Sequence, residues 1–264
     1  MAKKFFYGNA LNYGGAMLDY CRNVLGYWKD GMDASALLAE VLEKGADPNR
    51  TAKTAKHYVC ELFKPRFLEP EALSWTRVLR AHLDDFPKAL FEQCCYVLTA
   101  RSERMFYDFL VDEYWPRARR GEQAIAGTGL YKAFLTEAME TGRGGGDKVW
   151  SEARMARLTT SLSGVCSGFH LVNTRKKYAI TPPLILTETA VLFALDLKER
   201  GLADQEILEH PDWRLLGVYG SHEAERLLKS PAFAPYFRIE DREGGSAFVW
   251  NVQTMKEAAD RYVA

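Results

Sequence analysis

Trp150 to Pro183 reads WSEARMARLTTSLSGVCSGFHLVNTRKKYAITPP. Met155, Leu158, Leu162, Val165, Cys166 and Phe169 recur at helical spacing in its first half, so one apolar stripe turns inward. Ser151 is placed as the N-cap. The opposite face carries Arg154, Arg157, Ser161, Gly164 and Gly168. There the two arginines suit phosphate oxygens, and Thr160 and Ser161 offer neutral donors. The two glycines either let another backbone approach closely or bend the helix. Leu171 to Ile180 reads as two short strands around a basic tip, Arg175-Lys176-Lys177, and no Asp or Glu occurs from Ala153 to Thr187. A helix followed by a basic hairpin is the shape of a winged-helix nucleic-acid reader. The plainer alternative is a solvated tip whose lysines guard exposed strands. A single long helix precedes the hairpin where a standard wing follows two short ones, which leaves the recognition helix open.

Charge concentrates in this region. The 264 residues carry 35 Lys and Arg against 35 Asp and Glu, so no global field draws the chain to nucleic acid or membrane. Residues 1–142 are balanced at 19 against 19, residues 143–187 carry 7 basic against 2 acidic, and residues 188–264 carry 9 against 14. The five cysteines (Cys21, Cys60, Cys94, Cys95 and Cys166) form no C-x-x-C pair. They read as free buried thiols of a reducing cytoplasm. No secretory signal is evident at the start, and Glu188 and Asp196 interrupt the most apolar segment, Pro183–Leu197. The chain is therefore expected to be soluble and cytoplasmic, with no membrane insertion.

Upstream lies a second helix-plus-basic element. Asp33 looks like the N-cap of a helix through Lys44, with Leu37, Leu38, Val41 and Leu42 inward. Gly45 is placed to end that helix and Asn49 to cap the next. The next helix, Arg50 to Phe63, carries Arg50, Lys53, Thr54 and His57 on its polar face, flanked by Lys56. Helix, short turn and basic second helix make a helix-turn-helix pattern; an ordinary αα-hairpin with a solvated basic face looks the same. Pro65 and Pro70 are expected to stop the chain's helical course. Helices follow at about 71–82, 87–101, 103–115 and 129–140. Arg117, Arg119 and Arg120 read first as helix-end cations offsetting the dipole, and second as a supporting phosphate contact.

The Gly-rich run 142–146 suggests a boundary, dividing a helical domain at 1–142 from a winged-helix-like domain at 143–264. Asp147 breaks the ending that a P-loop requires. Beyond it, an apolar helix is expected from Leu184 to Arg200, strands at 236–240 and 247–252, and a last helix from Thr254. The fold class is mainly α: a helical bundle with helix-turn-helix and winged-helix-like elements and short β-hairpins. His57, His82, His170, His210 and His222 show no metal-ligand spacing, and no G-x-S-x-G elbow occurs. A non-enzymatic protein without metal or other cofactor is expected.

The order and local wording of these segments resemble the BrxA family of the BREX bacteriophage-defence systems. The likeness is carried by Ala16-Met17-Leu18 to Tyr27, by Asn49-Arg50-Thr51-Ala52-Lys53 within the Asp33–Phe63 hairpin, and by Asp85-Phe86-Pro87. Trp150–Ile180 with Thr181-Pro182-Pro183, and His210-Pro211-Asp212-Trp213-Arg214-Leu215-Leu216, complete it. The resemblance implies a small, helical, non-enzymatic protein that binds DNA within a multi-protein defence locus. It also implies a likeness to the helical RNA-binding antitermination factor NusB. Double-stranded DNA is thus the leading expected partner. Its contacts would be Arg50, Lys53, Thr54 and Lys56 on one element and Arg154, Arg157, Arg175, Lys176 and Lys177 on the other. The alternatives are an adaptor that docks other BREX components, on account of the acidic C-terminal region and the apolar Leu184–Leu197 helix, and a NusB-like RNA binder.

Overall fold

The computed structural model describes residues 7, 15–45, 51–125, 127–143, 150–243 and 245–264. The chain is mainly helical, with two separate antiparallel two-stranded sheets. In chain order the elements are α1 (Leu18–Tyr27), α2 (Ala34–Lys44), α3 (Ala52–His57), α4 (Leu73–Ala81), α5 (Lys88–Ser102), α6 (Arg104–Phe109), α7 (Trp115–Arg119), α8 (Thr128–Glu140) and α9 (Glu152–Gly168). After these come β1 (Val172–Asn173), β2 (Ala179–Ile180), α10 (Thr187–Glu199), α11 (Asp204–Glu209), α12 (Ser221–Leu228), β3 (Phe237–Arg242), β4 (Gly245–Trp250) and α13 (Met255–Val263).

Two compact units divide the chain: 1–69 with 95–183, and 70–94 with 184–264. The passages fall at 69/70, 94/95 and 183/184, not at the 142/143 boundary expected from the Gly-rich run. The middle passage lies inside α5, and the helix and hairpin of 150–180 belong with the N-terminal segments. Long-range packing sets such units, and local composition carries no trace of it. Residues 144–149 lie outside the described ones. Counted by unit, the balanced charge separates: the first unit holds 23 Lys and Arg against 17 Asp and Glu, and the second 12 against 18.

In the first unit, Asp33 caps α2 by accepting from the Ser35 and Ala36 amides, and Gly45 closes it at φ 64°, a conformation that costs glycine little. Leu37 and Val41 are buried as expected, whereas Leu38 is half-buried and Leu42 exposed. Pro65 does not end the helical course after α3. The chain runs on as a π-helix, Tyr58–Leu68, with Pro65 inside it. An α-turn would press the pyrrolidine ring on the carbonyl four residues back, and the wider turn relieves that clash. The second π segment, Leu110–Tyr114, precedes Pro116 in the same way and lets α7 follow. Phe63, Phe67, Phe106, Phe109, Tyr114, Tyr131 and Phe134 fill the core.

In the second unit α10 is buried along Thr189–Leu197. It starts at Thr187, three residues later than expected, because Gln93 organises its entry. The Gln93 amide donates to the Leu184 carbonyl and accepts from Leu186 N and the Thr189 hydroxyl. The β3–β4 hairpin pairs Phe237 with Trp250 through Arg242 with Gly245. Trp213 plugs the core against Phe193, donating to the Ile207 carbonyl at 2.7 Å. Among the described residues no helix is long and apolar enough to cross a membrane. All five cysteines are free thiols, and four are buried.

Candidate nucleic-acid interface

The acid-free hairpin is built tightly. β1 and β2 pair Val172 with Ile180 and Asn173 with Ala179. The other edge of β2 is also occupied, because Ile180 N donates to Gln123 O (3.0 Å) and Ile125 N donates to Tyr178 O (3.1 Å). The Asn173 side chain accepts from the Arg175 and Lys176 amides, both at 3.1 Å, and so fixes the one-turn helix Thr174–Lys176. Lys177 and Tyr178 follow with φ 53° and 58°. Two left-handed residues with side chains in a row cost strain. Tyr178 packs its ring on Gly127, where an added Cβ would stand 3.6 Å away. At the base, Tyr114 donates to the Leu171 carbonyl and Thr181 N returns to the same atom. Arg175, Lys176 and Lys177 are exposed, and among the described residues no carboxylate pairs with them.

Helix α9 forms as expected, with Ser151 accepting from Arg154 N and its apolar stripe from Met155 to Cys166 buried. Its polar face splits in two. The half bearing Gly164 and Gly168 is covered by Gly15–Ala16: a Cβ on Gly168 would stand 2.7 Å from the Ala16 Cβ, and one on Gly15 would lie 3.3 Å from the Gly164 backbone. Gly168 therefore serves close approach of another segment, whereas a Cβ on Gly164 would meet nothing within 4 Å. Arg154, one of the expected phosphate contacts, lies half-buried over the Trp150 ring at 5.2 Å and reaches the Tyr7 carbonyl at 3.5 Å. Arg157 is exposed and, with Ala156, Thr160 and Ser161, lines a shallow open depression. The Thr160 and Ser161 hydroxyls donate to the Ala156 and Arg157 carbonyls one turn back, which leaves their lone pairs, not their protons, outward.

On the upstream element the expected cap, Asn49, lies outside the described residues; Thr51 caps α3. Its hydroxyl accepts from Thr54 N and lies 2.9 Å from the Thr54 hydroxyl, so Thr54 is tied into the cap. Lys53 and Lys56 are exposed. Arg50 lies outside the described residues. The eight described candidates all belong to the first unit.

Arg117 and Arg120, after Pro116, close the end of α7 through ion pairs. Arg117 meets Glu113 at 3.0 Å and Glu122 at 2.9 Å, and Arg120 meets Glu122 at 2.7 Å. Hydrogen bonds from Arg120 and then Arg117 hold the Glu122 carboxyl below the usual carboxylate range.

Two buried charges escaped the sequence reading. Arg66, 1% exposed, donates to Ala16 O at 3.2 Å and Gly15 O at 2.9 Å, so the π-helix clamps the same turn that leans on α9. Burial pushes the Glu103 carboxyl up to about 7, against the pull of Arg66. A lone Arg after Pro65 carries no sequence signal of burial; only an apolar setting on both sides, Phe63 and Phe67, hints at it.

Fold and site define a mainly helical protein whose first unit presents a braced basic hairpin. A solved chain of 14% identity, the crystal structure of an uncharacterized protein from Magnetospirillum magneticum, shares the fold with TM-score 0.58, over 80% of this chain and 97% of that one. No curated protein matches the chain. The BrxA family model matches residues 7–195; the chain belongs to the BrxA family. Membership suggests a protein of a BREX bacteriophage-defence system. The matched span takes in every candidate contact, and residues 196–264 lie beyond it.

Proposed function

We propose that this chain is a non-enzymatic, double-stranded DNA-binding protein of a BREX-type defence system, with the 172–180 hairpin as its wing. The observation that carries this reading is the tip itself. Three exposed cations stand side by side on a turn locked by Asn173, without a carboxylate partner among the described residues. Cations free of internal partners exchange condensed counterions for phosphates at low cost. Arg157 on α9 and Lys53 and Lys56 on α3 supply further contacts of the same kind. Arg154 and Thr54 support the fold around them. Such contacts position a duplex and carry no base specificity by themselves.

Charge reversal tests the reading. Arg175→Glu, Lys176→Glu and Lys177→Glu together are expected to cut duplex affinity at least about a hundredfold near 100 mM salt. The folded state, read by circular dichroism and thermal midpoint, is expected to stay as it is. Unchanged affinity would contradict the proposal. A second reading, an adaptor that docks other defence components, has its own support: the second unit carries 12 basic against 18 acidic residues. Under it, the triple variant loses pull-down of a partner and keeps DNA binding. Competition of single-stranded RNA against duplex DNA decides between nucleic-acid classes.

A further inference from the structure

We infer that Arg117 and Arg120 form an additional phosphate-contact site next to the hairpin, where Glu122 occupies the place of a nucleic-acid phosphate until one arrives. This rests on the DNA-binding proposal and adds to it two residues and an intramolecular competitor.

The geometry is that of two guanidiniums gripping one oxyanion. Arg117 Nη1 donates to Glu122 Oε2 at 2.9 Å, while Arg120 donates through Nε at 3.1 Å and Nη2 at 2.7 Å to Oε1. Each oxygen of the carboxylate thus has its own arginine. The same forks fit two oxygens of a phosphate diester, which arginine recognises by planar, paired donation. Arg117 keeps a second partner in Glu113; Arg120 is the cation most fully released when Glu122 leaves.

The site is placed by the hairpin. Glu122 directly precedes Gln123–Ile125, the segment bonded to the edge of β2 opposite β1 through Ile180 N and Tyr178 O. From Glu122 to the level of Tyr178 is about three residues of extended chain, or roughly 10 Å. That is about three steps of duplex along its axis; the tip cations lie a further one to three residues beyond Tyr178, so a duplex backbone running along the hairpin from tip to base passes both. The pair is open to exchange: the Arg120 side chain is 59% exposed and that of Glu122 32%, and surface ion pairs in water are weakly held.

The rival account is that Glu122 only finishes a helix. Gly121 takes φ 72°, Glu122 N donates to Arg117 O, and the ion pairs then close the end of α7. The two accounts separate on Glu122→Gln in the full chain, with a labelled mixed-sequence duplex of about 20 base pairs as probe and salt varied from about 50 to 200 mM. The inference expects about threefold to tenfold tighter binding and a log–log salt slope steeper by about 1. Adding Arg120→Gln to Glu122→Gln is expected to abolish that gain. Wild-type affinity and slope in Glu122→Gln, with or without a lower thermal midpoint, overturn the inference while leaving the hairpin proposal to its own charge-reversal test. If neither wild type nor Glu122→Gln binds duplex, both proposals fall.

Discussion

Arg154 lies half-buried over Trp150 with a hydrogen bond to the Tyr7 carbonyl, whereas Arg175, Lys176 and Lys177, some twenty residues on, stand exposed with no ion pair among the described residues. Both belong to the same acid-free stretch. The helical half of that stretch has a neighbour on its polar side, the Gly15–Ala16 turn, which Arg66 holds in place by two carbonyl contacts. The hairpin half has a bonded edge but an open tip. Local charge therefore overstates available charge wherever another segment crosses: Tyr7 and Trp150 engage Arg154, and Gly168 marks the crossing of Ala16.

The largest effect expected from breaking this contrast is at Gly168. Gly168→Leu drives side-chain atoms into a gap already filled at 2.7 Å by Ala16, and we expect a loss of about 3 kcal/mol in denaturant unfolding. A stability within about 0.5 kcal/mol of wild type would show that the turn moves aside freely.

Glu103, buried near the clamp, comes next. Its carboxyl is raised in the folded state from 4.5 to about 7, so folding loses stability as pH rises through that window and the loss is complete above it. Glu103→Gln escapes the loss. It is expected to exceed wild type by on the order of 2 kcal/mol near pH 8 and to lose the advantage toward pH 4. Parallel stability-versus-pH curves for the two proteins would remove burial of a charge from the account.

The arginines of α9 give the smaller and more pointed tests. Arg154→Ala is expected to cost about 1 kcal/mol of stability, through lost packing on Trp150, and to leave the salt slope of DNA binding alone. Arg157→Gln is expected to leave stability within about 0.5 kcal/mol and to make the slope shallower by about 1. Exchange of these two outcomes would invert the assignment of the helix face.

Much of the fold was legible where local rules act. Asp33, Ser151 and Thr254 cap their helices as N-cap chemistry dictates, and the two hairpins lie within about two residues of their expected places. The misses share a cause. Pro65 was expected to end a helix that a π-turn carries onward. Gln93 sets the start of α10 from ninety residues away in sequence, and Glu122 neutralises arginines that precede it around a tight turn. The interleaved units likewise come from tertiary packing that no local pattern records. For the site, residue type and the missing acids located the hairpin; which of the flanking arginines are engaged depended on contacts with Tyr7, Trp150 and Glu122.

The central claim, that the open hairpin tip and its flanking cations bind duplex phosphates, is tested most directly by one titration: affinity for a mixed-sequence duplex measured across about 50 to 200 mM salt. Six neutralised phosphates predict a log–log slope near −5. A slope near zero, or no binding at the lowest salt, would contradict it.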